Sequence, residues 1–297
     1  MNRKQLGLLL MIISAIGLAV ATIMMKILPA ETGMTPGQIA VWRFLIAAPL
    51  MWLIMLIRKK GSKAIPGQFP RLLLLGGVYS MASLLALLSL DRLPSSIYVI
   101  IVFFYPSLIV IYHLIRRQPV PRLWWLGLPL TLIGLTLTVS QFGQALELNS
   151  LGIILAILNG IAMAVYVLWS EKVFSGISNR QMGSAWVMTG AMVIGLVLIF
   201  LFGFKTPDTG KGWVLLFTLG IVGTLVPIFA MNVGIQMLGS ARSSVISTLQ
   251  PLIAVVISTV FLHDVLTITQ WIGGIMVIVA IFILQRSRDE QSRGGGH

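Results

Sequence analysis

The second half of this chain repeats the first at a fixed offset of 145 residues, and each half contains five apolar stretches. Each stretch is about long enough to cross a lipid bilayer. Because five is an odd number, the second half must enter the membrane from the opposite side to the first. The positions that match at this offset are Leu6–Gly7 with Leu151–Gly152, Leu10 with Leu155, Ala19–Val20 with Ala164–Val165, Leu93 with Leu238, Ser95 with Ser240, and Pro106 with Pro251.

Inverted repeats of this kind are typical of membrane transporters, in which the substrate binds near the bilayer midplane between the two halves. The pattern predicts an all-α membrane protein with ten transmembrane helices arranged as two inverted five-helix repeats. The first repeat spans residues 1–146 and the second spans 147–285. Residues 286–297 are predicted to form a disordered cytoplasmic tail, and we expect its last four residues to be a tag remnant without a functional role.

Composition narrows the class of protein further. Hydrophobic residues make up 57% of the 297 residues and charged residues only 10%, whereas soluble domains carry about a quarter charged residues. The chain has no cysteine, which excludes disulfides, thiolate metal sites and cysteine catalysis. It also has no HExxH, Walker A or GxGxxG motif in a suitable setting. We therefore predict no enzymatic activity, no cofactor and no metal.

The apolar stretches define the predicted spans. The first begins near Gln5 and has no small-residue cleavage site, so we expect a retained helix rather than a signal peptide. The ten spans are predicted at residues 5–28, 36–57, 71–90, 94–115, 123–140, 151–171, 180–203, 213–238, 240–262 and 268–285.

The basic residues are distributed unevenly between the two membrane faces. With the N-terminus inside, 16 of the 21 lysines and arginines fall on the inner side and four on the outer side, while Arg43 lies within the second span. This asymmetry is what the positive-inside rule produces. It predicts a multi-pass protein of the cytoplasmic membrane with both termini in the cytoplasm. The net charge of +13 therefore reflects the basic residues on the cytoplasmic side of the membrane. We expect the protein to contact the lipid bilayer and not to bind nucleic acid.

Both halves contain recognisable motifs. They are Trp42–Phe44 and Tyr105–Pro106 in the first half, and 239–256 (GSARSSVISTLQPLIAVV), Phe261–Asp264 and Gln270–Gly274 in the second. Together these motifs resemble the EamA-type members of the drug/metabolite transporter superfamily. The resemblance covers roughly residues 5–285, and the order of the motifs together with the repeat makes it specific. This resemblance implies a ten-helix carrier, often an exporter of amino acids or other small metabolites.

The chain departs from the family pattern at two positions, Gln118 and Gln250, and keeps it at Asp264. The family often places an acidic residue just after the fourth and ninth spans, where this chain has Gln118 and Asp264. Many members also carry a glutamate before the ninth-span proline, where this chain has Gln250. The loss of that carboxylate weakens an interpretation based on cation coupling or a cationic substrate.

A carrier requires polar or aromatic groups that face a cavity within the membrane, because such groups are costly against lipid. Three polar positions pair with polar positions in the other half: Ser14 with Asn159, Tyr79 with Thr224, and Tyr105 with Gln250. A central axis lined by both halves would produce this pattern. The predicted substrate-binding residues are Ser14, Tyr79, Ser83, Tyr98, Phe104, Tyr105, Asn159, Tyr166, Thr224, Ser247 and Gln250.

The same residues have structural alternatives. Serine, threonine and asparagine in membrane helices often form hydrogen bonds between helices, and Tyr98 lies near a span end, where tyrosine is typical of the interfacial belt. Arg43 lies inside its span, where an arginine costs about 2.5–3.5 kcal/mol. It can offset this cost through a structural role or by binding a substrate carboxylate. Pro106 and Pro251 are predicted to kink the fourth and ninth spans, either as hinges or as fixed bends.

These observations predict a secondary transporter that moves a small uncharged or zwitterionic metabolite by alternating access. Export of aromatic or large apolar amino acids fits the tyrosine- and phenylalanine-rich set. The alternatives are a multidrug efflux carrier and a membrane scaffold that transports nothing. The sequence does not assign an oligomeric state, and a monomer is compatible with it.

Overall fold

The protein is a bundle of ten helical spans, seen here in a computed structural model that describes residues 2–57, 67–93, 95–117, 124–139, 149–177, 179–262 and 267–294. Within these residues all regular secondary structure is helical. The spans are α1 (Arg3–Thr32), α2 (Pro36–Ile57), α3 (Phe69–Leu90), α4 (Ser95–Val102 and Tyr105–Ile115), α5 (Trp124–Val139), α6 (Ser150–Ser175), α7 (Arg180–Phe202), α8 (Gly210–Leu238), α9 (Ser240–Ser247 and Leu249–Leu262) and α10 (Ile268–Gly294).

The surface of the bundle is suited to lipid. Eight of the spans contain stretches long and apolar enough to cross a membrane, and α5 and α10 add shorter apolar segments at Trp124–Thr138 and Ile268–Ile283. Large apolar side chains point outward, and Phe200 is 90% exposed. Soluble monomers rarely expose continuous apolar surface of this kind. The predicted all-α membrane fold of two five-helix halves is confirmed.

The last helix differs from the predicted tail. We predicted that residues 286–297 are disordered, but α10 continues through Gly294. The sequence from Gln285 to Arg293 contains neither proline nor glycine, so nothing in it interrupts the helix before the glycines that follow. Gln118, where the chain departs from the family pattern, and Asp264, where it keeps the acidic residue, lie outside the described residues.

The two halves contact one another reciprocally. An added Cβ at Gly7 of α1 would lie 2.9 Å from Leu238 Cγ, and one at Gly152 of α6 would lie 2.7 Å from Leu93 Cγ. Gly7 and Gly152 are repeat counterparts, as are Leu93 and Leu238. Each half therefore contributes a glycine to one contact and a leucine to the other. A two-fold relation between inverted halves produces this exchange.

Two spans are interrupted at equivalent places. α4 breaks at Phe103–Phe104 and α9 breaks at Thr248, which is the repeat counterpart of Phe103. Pro106 and Pro251 follow these breaks within the first turn of the next segment. A proline is tolerated there because its missing N–H would lack a helical partner in any case. In the structure each span has a break just before its proline.

Helices α3 and α7 approach closely through small residues. A Cβ at Gly76 would fall on the backbone carbonyl of Val187, and a Cβ at Gly190 would fall on that of Leu73. Small residues that allow backbones to approach are a common way to pack membrane helices, where the hydrophobic effect gives no help between helices.

We expect Gly76→Ala to separate α3 from α7 and to lower the stability of the protein by about 1–3 kcal/mol, because the new methyl group meets backbone that cannot rotate away. Gly77→Ala is the matched control, since the nearest atom to its added Cβ is Ile194 Cγ1 at 3.5 Å. The melting temperature of the two purified variants in detergent measures the difference. Equal melting temperatures would contradict the proposed close packing.

Candidate functional site

A cavity of about 360 Å³ lies between the two halves. Four pairs of repeat counterparts line it, so the pseudo-two-fold axis of the fold runs through the cavity. The pairs are Leu18 with Met163, Ala86 with Met231, Val102 with Ser247, and Tyr105 with Gln250. Both halves therefore contribute equivalent helix faces to a single cavity.

Among the residues that the structure describes, the lining of the cavity extends to one end of the bundle. Pro36, Leu90 and Asp91 belong to its lining, and Pro36 and Asp91 are solvent-exposed. Pro36 lies where α2 begins, and Leu90 and Asp91 lie where α3 ends, so we call this end of the bundle the open end. The closed end is the opposite one, where α1 begins at Arg3.

Most of the residues that the sequence predicted for the site line the cavity. They come from α2, α3, α4, α6 and α9, which places five helices around one space. They are Arg43, Tyr79, Ser83, Tyr98, Tyr105, Asn159, Ser247 and Gln250, together with Pro251.

Five predicted site or hinge residues lie outside this lining. Ser14, Tyr166, Thr224 and Pro106 are buried in the helix packing around it. Phe104 lies at the break in α4 but is 44% exposed on the outside of the bundle. Its depth in the membrane was predicted from the sequence, whereas the side of the helix that it occupies was not.

Arg43 is held in the cavity wall by two hydroxyl groups. Its Nε donates to Thr224 Oγ1 at 3.1 Å and its Nη1 donates to Ser83 Oγ at 3.3 Å. The guanidinium carbon lies 5.1 Å from the centre of the Phe44 ring. Thr224 belongs to a π-helical turn, Ile221–Leu225, and its hydroxyl donates to the carbonyl of Leu219. π-turns are frequent at functional sites because they re-aim side chains.

Asn159 connects three helices at the cavity wall. Its Nδ2 donates to the carbonyl of Ala82 in α3, and its Oδ1 accepts from Tyr98 in α4 at 3.3 Å. The hydroxyl of Tyr105 donates across to the carbonyl of Ser244 in α9 at 3.4 Å. These groups therefore combine a place in the cavity with a role in holding helices together.

A buried lock closes the cavity below Tyr79. The Tyr79 ring packs against the Tyr166 ring with centroids 5.0 Å apart. The Tyr166 hydroxyl donates to Asn232 Oδ1 at 2.6 Å, and Ser170 Oγ donates to the same oxygen at 3.4 Å. All three residues of this lock, Tyr166, Ser170 and Asn232, are fully buried.

A second layer of polar contacts lies beyond the lock toward the closed end. The carboxylate of Glu171 accepts from the backbone N–H of Ser240 at 3.0 Å, where α9 begins. The Ser240 hydroxyl is 3.1 Å from His113 Nε2 of α4. Gln236 donates to the backbone carbonyls of Phe174 and Ile177. Together with the lock, this layer ties α4, α6, α8 and α9 into a seal.

Sequence reasoning missed the apolar wall of the cavity. This wall is formed by Leu18, Met25, Met163 and Met231. None of them was predicted, because in a span that is apolar on most sides an apolar residue does not indicate which side faces the cavity. The repeat could have identified some of these residues, because Leu18 and Met163 are repeat counterparts and so are Ala86 and Met231.

The chain matches the EamA-like transporter family twice, at residues 5–140 and at residues 150–286. Each match covers one of the two halves. The crystal structure of another protein superposes on this chain with a TM-score of 0.79, and the superposition covers 97% of this chain and 98% of the other chain. The sequence identity in that comparison is 14%, so the likeness is one of fold.

Relatives of the chain carry the names of transporters. An uncharacterized transporter of Archaeoglobus fulgidus is 27% identical over 54% of this chain, and the match spans 56% of that relative's length. Uncharacterized transporter YvbV of Bacillus subtilis is 25% identical over 69% of this chain and 67% of its own. Uncharacterized inner membrane transporter YicL of Salmonella typhimurium is 22% identical over 70% and 69%. The family matches cover most of the chain, and we conclude that it belongs to the EamA-like transporter family and is a multi-pass membrane transporter.

Proposed function

We propose that the protein is an alternating-access carrier that exports a small uncharged or zwitterionic metabolite, with aromatic or large apolar amino acids as the favoured class. The observation that carries this proposal is the cavity between the halves, which is open at one end and sealed at the other. A membrane scaffold that transports nothing does not need a cavity between its two halves. An alternating-access carrier requires one.

The distribution of basic residues supports an orientation in the cytoplasmic membrane. With both termini in the cytoplasm, the closed end faces the cytoplasm and the open end faces outward. The printed name of the Salmonella relative, an inner membrane transporter, agrees with this location. The conformation described here is then outward-open.

The lining supports a small amphipathic substrate. A volume of about 360 Å³ is at the lower end of the range of small-molecule sites, which favours a metabolite over a large drug. The wall combines apolar side chains with three tyrosines, Tyr79, Tyr98 and Tyr105, and with the amides Asn159 and Gln250. Sites of this composition hold an apolar group by contact and orient a polar end by hydrogen bonds.

A thermal-shift screen of the purified protein against amino acids and related metabolites tests the substrate class. Stabilisation by large apolar or aromatic amino acids, followed by flux of the same compound in proteoliposomes, is the expected result. Stabilisation by unrelated bulky drugs alone would favour a multidrug carrier, and the absence of flux with every stabilising compound would contradict the transport proposal.

We expect Gln250→Leu to reduce flux at least about 10-fold while the melting temperature changes little, because Gln250 lines the cavity and leucine keeps the helix. Ser89→Ala is the matched control. Ser89 is fully buried outside the cavity lining, and its hydroxyl donates to the carbonyl of Gly152 at 2.9 Å. That variant is expected to lower the melting temperature without a specific loss of flux. Parallel losses of stability and flux in Gln250→Leu would assign the glutamine to helix packing.

A further inference from the structure

The charge of Arg43 has no counter-charge in the part of the chain that the structure describes. Its hydrogen-bond acceptors there are the hydroxyls of Thr224, Ser83 and Tyr79 and, at 3.9 Å, the sulfur of Met25, and none of them is an acid. The residue as a whole is only 4% exposed. Removing a guanidinium from water without a partner anion is costly in a membrane protein.

The acidic side chains nearby are engaged elsewhere. Asp91 lines the cavity at its open end and pairs with Arg92 at 3.6 Å, and Glu31 pairs with Lys211 at 2.8 Å. Both pairs lie at the exposed rim of the bundle. The described cavity wall below that rim thus presents a cation and no carboxylate.

The repeat argues against a purely structural need for arginine at this position. The counterpart of Arg43 at the same offset is Met188 in α7, which is fully buried. The second half thus builds the equivalent helix with an apolar side chain. Positions that build the fold, such as Gly7 and Gly152, keep the same residue in both halves.

We propose that Arg43 binds the carboxylate of the transported compound. This inference rests on the proposed function and changes its substrate class to molecules that carry a carboxylate on an apolar body: zwitterions remain, uncharged molecules are left out, and simple carboxylate anions are added. The hydroxyls of Thr224 and Ser83 orient the guanidinium, and the substrate supplies the missing negative charge. Because the described wall below the rim carries no acid, an amino group on the substrate is tolerated but not required.

The wild-type protein tests this directly with matched probes. The panel is phenylalanine, 3-phenylpropanoate, phenylethylamine and phenylalaninamide. A second panel contains the four corresponding compounds that carry the side chain of leucine. We expect the carboxylates to stabilise the protein with or without the amine. The amine and amide, which lack the carboxylate, are expected to bind at least about 10-fold more weakly, because a hydrogen bond to a charged group is lost.

Variants locate the effect at Arg43. Arg43→Gln is expected to weaken binding of the carboxylates about 10- to 100-fold and to leave binding of the amide forms unchanged, while Arg43→Lys retains part of the preference. Arg92→Gln is the matched control, because Arg92 is a cation at the rim outside the cavity lining, and it is expected to keep the full preference. The probe series in the wild-type protein remains decisive if Arg43→Gln does not fold.

Three results would overturn the inference. One is equal binding of phenylethylamine and 3-phenylpropanoate to the wild-type protein. Another is stabilisation by no carboxylate of the panel. The third is an unchanged carboxylate preference in folded Arg43→Gln. Flux of non-carboxylate compounds in proteoliposomes would leave the carrier proposal intact in each case, so the two failures are distinguishable.

Discussion

Replacing Asn232 with leucine is expected to release the closed end of the cavity. Asn232 Oδ1 accepts from the buried hydroxyls of Tyr166 and Ser170, whereas its Nδ2 is buried without a partner. The repeat counterparts of Tyr166 and Asn232 are Ala21 and Leu87, which line the cavity on its open side. Leucine at 232 therefore gives the closed end the residue that the open end already has.

Ala21 and Leu87 cannot form the same hydrogen bond at the open end, so loss of the lock favours the opposite conformation. Hydrogen bonds between membrane helices contribute about 0.6–1.7 kcal/mol, which corresponds to about a 3- to 20-fold shift in a two-state equilibrium. The measurement is the rate at which an impermeant thiol reagent labels a cysteine introduced at Val167, a buried residue beside the lock. The rate from the cytoplasmic side is expected to rise.

Tyr166→Phe is the conservative version of the same test, since it removes only the hydroxyl. Tyr112→Phe is its matched control: the Tyr112 hydroxyl accepts from exposed Lys172 rather than from the lock. Labelling that increases equally in both phenylalanine variants, or in neither, would contradict a lock at Tyr166 and Asn232.

The proline variants are expected to lower turnover and to bias the carrier in opposite directions. Pro106 and Pro251 follow the breaks in α4 and α9, and alanine at either position supplies an N–H that can bond the carbonyl four residues earlier. That hydrogen bond forms only if the break closes, so alanine favours a continuous helix that resists bending. Because the two breaks are related by the pseudo-two-fold axis, stiffening one of them favours one conformation and stiffening the other favours its opposite.

Turnover in proteoliposomes and cysteine labelling at both ends measure this effect. Pro49→Ala is the matched control, because Pro49 lies on the exposed side of α2, a helix that is unbroken. Unchanged turnover in both Pro106→Ala and Pro251→Ala would reject the hinges and leave the prolines as fixed elements of shape.

The fold was accessible from the sequence because its determinants are local or periodic. Span length follows from apolar runs, and the inversion follows from an odd number of spans in each repeat. The breaks in α4 and α9 were signalled by Pro106 and Pro251. The reciprocal contact of Gly7 with Leu238 and of Gly152 with Leu93 was implicit in their matching offsets.

For the site, the sequence predicts only how deep each residue lies in the membrane. Counting along a span places Tyr79 and Phe104 near the middle of the membrane, but it does not give the rotation of each helix about its axis. Spans that are apolar on most sides carry little information about facing. Phe104 therefore lies on the outside, Thr224 is one layer behind the wall, and Asn232, which is not among the predicted site residues, forms the lock. Three-dimensional packing decides these positions.

The central claim is that one cavity opens alternately to the two sides of the membrane, and paired cysteine accessibility tests it most directly. The chain has no native cysteine, so single variants can be made without background. Thr22 lines the cavity toward its open end, and its repeat counterpart Val167 is buried toward the closed end. Thr22→Cys is expected to be labelled from outside and Val167→Cys from inside, and a transported substrate is expected to change the two rates in opposite directions. A carrier that sustains flux while Val167→Cys is never labelled from the inside would contradict it.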